Sequence, residues 1–226
     1  MPCPLCVGPN FYQGELMPAF RETMPPAQTA VAFNLHSGGQ EQVAGPTGTF
    51  IVTLTDAATG EVVQHFEKKN IITLDAGILA AMLFRSPASH NGINGLAVGT
   101  GATGNILSPD APDNRQRKLN SELARKAIAA TQFRTSAGVA SAIPTNVVDF
   151  TTVFATSEAN GALNEMGLVA AINVPPGAAV PNPNAYPTYD PTVDVTSLDI
   201  LVNYLTFPVI VKTNATVLTI SWRLTF

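Results

Sequence analysis

Charge is what this sequence has least of. Charged residues occupy 12% of its 226 positions and the formal net charge is only −4, against a usual charged fraction of about 25% in soluble domains. A surface so sparsely charged is poorly solvated for a free monomer, which points to a homo-oligomer and to contacts with other proteins. The 12 lysines and arginines are scattered among 16 aspartates and glutamates, so the basic stripe of a nucleic-acid-binding protein is missing and no nucleic-acid partner is expected. No apolar run approaches the roughly 20 residues of a membrane span. The start at Met1, Pro2, Cys3 and Pro4 lacks the basic and apolar segments of a secretory signal, and the expectation is a soluble protein made in a cytoplasm. Catalytic signatures are also lacking: there is no G-x-S-x-G elbow, no H-E-x-x-H, no Walker loop, and no cysteine with a histidine in catalytic context. An enzyme is not expected.

Proline, by contrast, is plentiful and concentrated. Residues 1–46 hold Pro2, Pro4, Pro9, Pro18, Pro25, Pro26 and Pro46 with a Gly38-Gly39 pair. They show no sustained period of 2 or 3.6, and read as an extended N-terminal arm whose Phe11, Tyr12, Phe20 and Phe33 are candidates for contact with other chains. Cys3 and Cys6 form C-x-x-C, which is half a zinc site, a redox motif or two small packed side chains. The redox reading wants a βαβ context that is missing, and zinc would need ligands from elsewhere, His36 or a symmetry mate. No other cofactor is indicated. A second proline-rich stretch, 173–197, carries Tyr186 and Tyr189 with few aliphatics and reads as a long projecting loop. Its two tyrosines are further interface candidates and, if the chain recognises a receptor or a glycan, the stacking surfaces for it.

Between these stretches the pattern is that of strands. From Gly48, the residues Phe50, Val52 and Leu54 alternate, a turn follows over 56–60, and Val62, Gln64 and Phe66 resume the alternation, as in a hairpin. Asp75 is expected to cap a short helix whose Ile78, Leu79, Met82 and Leu83 share one face, ended by Arg85, Ser86 and Pro87. Residues 119–125 read as a short turn or helix, and 126–134 as a strand. At the C-terminus Leu218, Ile220, Trp222, Leu224 and Phe226 alternate with Thr219, Ser221, Arg223 and Thr225, the clearest half-buried strand in the chain. About eight strands and one helix make the fold class mainly β, an antiparallel β-sandwich over 47–226.

Two stretches invite functional readings. Gly99, Gly101 and Gly104 match G-x-G-x-x-G, but the residues that follow are polar and contain Pro109 and Pro112 where a dinucleotide site needs a helix. The better reading is a glycine-rich strand exit that lets backbone pass close to another chain. The stretch 154–171 has Asn160-Gly161 between two apolar β-branched segments and reads as a central hairpin with a type I′ turn. Val148, Phe150 and Phe154 lie on one face of its incoming strand and Val147, Thr151 and Val153 on the other, so that both faces should be covered. Glu158 and Glu165 flank the tip as solubilising residues, since no His or Lys is expected nearby to tune them.

Taken in order, LAVGTG at 96–101, ELAR at 122–125, FATSEANGALNEMGL at 154–168 and TFPVIVKTNATVLTISWRLTF at 206–226 resemble a family of small tailed-bacteriophage virion proteins, tail-fibre or tail-associated. DAATGEVVQHFEKKN at 56–70 is similar to the first hairpin of that family. The resemblance covers about residues 48–226. It implies a non-enzymatic β-sandwich building block of a tail, neck or fibre base that assembles with other virion structural proteins in the host cytoplasm. A receptor-binding module of a tail appendage and a capsid cement protein are the alternative placements.

Overall fold

The computed structural model describes residues 46–86, 90–172, 174, 177–181 and 198–226. The arm residues 1–45, with Cys3, Cys6, Phe11, Tyr12, Phe20, Phe33 and His36, lie outside the described residues, as do Tyr186 and Tyr189.

The described residues are mainly β with one helix, and every strand pairing among them is antiparallel. In chain order the elements are β1 (Thr47–Asp56), β2 (Val62–Ile72), α1 (Leu74–Arg85), β3 (Gly95–Gly99), β4 (Gly104–Asn105), β5 (Ser108–Pro109), β6 (Glu122–Ala127), β7 (Ala130–Arg134), β8 (Ala140–Ser141), β9 (Val147–Phe154), β10 (Gly161–Ala170), β11 (Val180–Pro181), β12 (Ile200–Leu201), β13 (Asn203–Lys212) and β14 (Thr216–Thr225). Twelve strands form one sheet in the order β11-β6-β3-β10-β13-β2-β1-β14-β9-β7-β8, with β12 beside β10, while β4 and β5 pair separately. The sheet has two halves that meet where β13 joins β2 at only two register positions, Asn203 with Ile72 and Tyr204 with Ile71. A single apolar cluster draws on both halves: Phe50, Phe154, Leu218, Ile220 and Trp222 from one, Leu96, Met166, Leu205 and Phe207 from the other. This arrangement is compatible with a β-sandwich.

The register explains which residues face that core. Phe150, Trp222 and Phe50 lie in one row across β9, β14 and β1, and Phe154, Leu218 and Leu54 in another. Because side chains alternate along each strand, those rows bury one face together. Phe50 centres an aromatic group, with Phe66 at 5.5 Å, Trp222 at 5.6 Å and Phe207 at 6.3 Å. The first hairpin is as expected: the Asp56 carboxylate accepts the N–H groups of Ala58 and Thr59 at 2.9 Å, and Gly60 turns the chain at φ 74°, a conformation that glycine adopts without strain.

Several expectations are corrected. Strands β9 and β10 do not pair, so 154–171 is a crossover and not a hairpin: β9 lies between β14 and β7, whereas β10 lies between β13 and β3. Alternation marks a strand but not its partner, and both edges of β9 are taken by other strands. Its outer face is covered in part: Val147 and Asp149 are buried, Asp149 in ion pairs, whereas Val153 is exposed. Residues 119–125 do not form a helix. Glu122 opens β6, and the expected strand over 126–134 is split, β6 lying at one end of the sheet and β7 near the other. Thr73, not Asp75, takes the N-cap position of α1; its hydroxyl donates to the carbonyls of Leu201 and Val202 instead of capping, and Asp75 lies buried in the first turn. Part of the expected projecting loop returns to the sheet, since Val180 and Pro181 pair with Arg125 and Ala124. Phe226, expected to face the core, lies beyond β14 and is 63% exposed.

On the outer face of β9, Asp149 accepts from Arg223 at 2.7 Å and 3.0 Å and from Arg134 at 2.8 Å. Burial pushes its carboxyl up, but the hydrogen bonds and charges of the two arginines outweigh burial and hold it below the usual range. A depressed carboxyl contributes stability that is present above its unfolded value, near 3.8, and is lost as pH falls through the folded value. Asp149→Asn is therefore expected to destabilise the protein at pH 7 and to flatten the acid limb of the melting profile below about pH 4. An acid limb identical to wild type would remove Asp149 from that account.

Candidate functional site

The glycine loop and the carboxylate of Glu165 form one structure. Glu165 sits on β10 opposite Gly99 of β3 and is completely buried. A buried carboxylate is tolerated only when donors replace its water. Its Oε1 accepts the N–H groups of Gly101 at 2.9 Å and Ser121 at 2.7 Å, and its Oε2 accepts the N–H of Asn120 at 2.9 Å and the Tyr204 hydroxyl at 2.8 Å. These four bonds match the roughly four acceptor positions of a carboxylate. Beside it, the Asn164 side-chain oxygen accepts the N–H of Ala102 at 3.0 Å, and the Asn120 amide donates to the carbonyl of Gly101 at 3.1 Å. One carboxylate thus ties together the two ends, Gly101 and Asn120, of the excursion that carries β4 and β5. Burial, and then the Glu165 charge and hydrogen bond, push the Tyr204 phenol well above its ordinary range, which keeps it a donor.

The glycines follow from this geometry. A Cβ on Gly99 would lie 2.5 Å from the Ser121 carbonyl and 2.6 Å from Glu165 Oε1; one on Gly101 would lie 2.4 Å from the Ser121 nitrogen. The close approach expected of the glycine-rich exit is real, but it is made within the chain. After Gly101 comes the short β4–β5 pair, where a dinucleotide-binding turn would open a helix. The description of Glu158 and Glu165 as solubilising residues is overturned for both. Glu158 accepts from Lys126 at 2.6 Å and from the N–H groups of Ala155 and Ala179 at 2.8 Å each. Burial raises its carboxyl, but these donors more than offset burial and hold it below the usual range.

Two further buried charged groups were not legible as sites. Arg125 on β6 donates to Glu122 at 2.6 Å and 2.9 Å, and to Asp199; Asp199 in turn accepts the N–H of Ile172 at 3.0 Å. Lys212, 1% exposed, donates to the carbonyls of Ala155 at 2.8 Å and Thr216 at 3.2 Å and to the Asn160 side chain at 3.0 Å. Each of these groups joins segments far apart in sequence. Chemically they are braces: their donors and acceptors are engaged with one another.

Among the described residues, no group of three or more His, Cys, Asp or Glu is placed to hold a metal ion, and no helix is long and apolar enough to cross a membrane. No family model matches the chain, and no curated protein is significantly similar to it in sequence.

Proposed function

We propose that this chain is a non-enzymatic structural subunit of a tailed-phage virion, a tail, neck or fibre-base protein that assembles with copies of itself and with other virion proteins. The observation that carries this reading is where the phage-like segments meet. Gly101 from LAVGTG, Glu122 and Arg125 from ELAR, and Glu165 from NEMG all lie in or beside the same buried hydrogen-bonded brace. Residues with the chemistry of an active site are spent on holding loops, as a building block requires. The low charge favours assembly in the same way.

Sedimentation equilibrium at micromolar concentration and physiological salt is expected to give an oligomer, and immunogold labelling of purified particles is expected to decorate one end of the tail. A monomer would remove self-assembly from the reading. Particles without label, when the protein is present in the lysate, would remove the virion.

A further inference from the structure

We propose that the open edge of β2 is the seam between two copies of this chain: Gln64 to Lys68 pair antiparallel with the same residues of a second copy, about a two-fold axis at Phe66, so that one sheet runs through both subunits. The proposal rests on the self-assembly part of the function proposed above and not on the virion placement.

The topology leaves this edge open. Strand β2 pairs with β1 along one side, and on the other side meets β13 only at Ile71 and Ile72. Among the described residues, no backbone group of 62–70 is bonded on that second side. Such an edge presents its N–H and C=O groups to any strand that can align with them. The two ends of the strand path are blunted by β8 and β11, of two residues each, whereas β2 is free along most of its length.

Alternation divides the strand into two faces. Phe66 lies opposite Val52 and packs on Phe50 at 5.5 Å and Phe207 at 5.9 Å, so Gln64, Phe66 and Lys68 face the core and His65, Glu67 and Lys69 the outer side. Lys68 is drawn inward, its ammonium donating to the Thr206 carbonyl at 3.0 Å. A bulge at Val63, where Leu54 faces Gln64 and Thr55 faces Val62, ends the regular stretch. Residues opposite one another in an antiparallel pair share a face, so a two-fold axis must pass through a residue and not between two.

Charge and space decide which residue that is. An axis at Glu67 sets Glu67 against the partner's Glu67, and one at Lys69 sets two ammonium groups together; like charges directly opposite destabilise a pair. An axis at Lys68 carries the partner's strand on alongside Ile71 and Ile72, where β13 already pairs. An axis at His65 leaves only Gln64 to Phe66 in register before the bulge. At Phe66 none of these faults arises, and the partner's regular stretch ends at the partner's Val63, short of Ile71. His65 then stands opposite the partner's Glu67, twice by symmetry, and Gln64 opposite the partner's Lys68. His65 and Glu67 are both exposed and Phe66 is half-buried, so the partner's Phe66 would cover the open side of the aromatic group. The Nδ1 of His65 lies 3.0 Å from the Thr53 hydroxyl; accepting there leaves the proton on Nε2, as a donor to a carboxylate.

Sedimentation velocity of the full chain over a concentration series tests the seam. His65→Glu places a carboxylate against the partner's Glu67, and Glu67→Lys places a second basic side chain against the partner's His65. Each is expected to raise the midpoint concentration of self-association by about tenfold, because each unfavourable pair occurs twice. The double variant His65→Glu/Glu67→Lys restores opposite charges across the seam and is expected to return to within about threefold of wild type. A wild-type oligomer whose midpoint neither single variant moves, or single variants that the double does not rescue, would overturn the seam and leave self-assembly standing. A monomeric wild type would end both. Should a variant not fold, hydrogen exchange on the wild-type chain decides: amides within 64–68 are expected to exchange faster on dilution through the midpoint while those of β1 do not, and exchange at 64–68 that is the same above and below the midpoint would remove the seam.

Discussion

Glu165→Ala is expected to yield insoluble or unfolded protein. The substitution strands three backbone N–H groups, of Gly101, Asn120 and Ser121, and the Tyr204 hydroxyl in a site from which water is excluded. A buried donor left without its acceptor costs roughly 1–3 kcal/mol. Four of them reach on the order of 4 kcal/mol even at the low end, against a total stability of about 5–15 kcal/mol for a typical domain. Glu165→Gln keeps the shape but turns one acceptor oxygen into an NH2 group that faces two donors, so it should fall close to the alanine variant. Tyr204→Phe removes one donor of the four and should cost only about 1–2 kcal/mol. Urea unfolding of the three variants tests the order, with Tyr204→Phe mildest. Glu165→Ala within 1 kcal/mol of wild type would show that water reaches the site and that the brace carries little of the fold.

That brace is where the sequence was least legible, and the reason is physical. Glu165 stands between Asn164 and Met166, near an Asn160-Gly161 pair that reads as a turn in sequence although the turn lies at 156–157, and polar residues beside a turn are ordinarily solvated. Its donors come from residues 101, 120, 121 and 204, none of them within reach along the chain. The signal that did exist was a charged side chain inside a strand whose neighbours Leu163, Met166 and Leu168 are all core residues; such a charge must be paired or hydrogen-bonded. The paired glycines at 99 and 101 were correctly read as a close approach, with the wrong partner. Strands β1 and β14 were legible because each buries one face, which leaves a period of 2 in the residues themselves; β2 keeps that alternation only around Gln64 and Phe66, half-buried between exposed neighbours. Strand β10 buries both faces and carries no such period. Strand β6 was missed because ELARKA is made largely of good helix formers, and its place between β3 and β11 overrides that preference.

Trp222→Ala is expected to cost about 3–5 kcal/mol, the range for emptying a large aromatic from a packed core. Strand β14 lies between β1 and β9, paired over its whole length with β1 and over eight residues with β9, so there is no edge at which the chain can retreat to fill the space. Trp222 is completely buried, in register with Phe50 and Phe150 and with its ring 5.6 Å from that of Phe50. Phe226 is different. It is 63% exposed and is joined to Asn146 by its backbone, its N–H donating to the Asn146 carbonyl at 2.9 Å and its carbonyl accepting from the Asn146 amide at 2.8 Å. Deleting Phe226 alone should therefore cost less than about 1 kcal/mol, since little apolar area is uncovered. Deleting 223–226 removes Leu224 from the core together with the Arg223 partner of Asp149 and should approach the cost of Trp222→Ala. Thermal melts of the three proteins, read with iodide quenching of the single tryptophan, separate these outcomes. Ready quenching of Trp222 in the wild-type protein, or equal losses from deleting one residue and four, would mean that β14 is not the anchor of this half of the sheet.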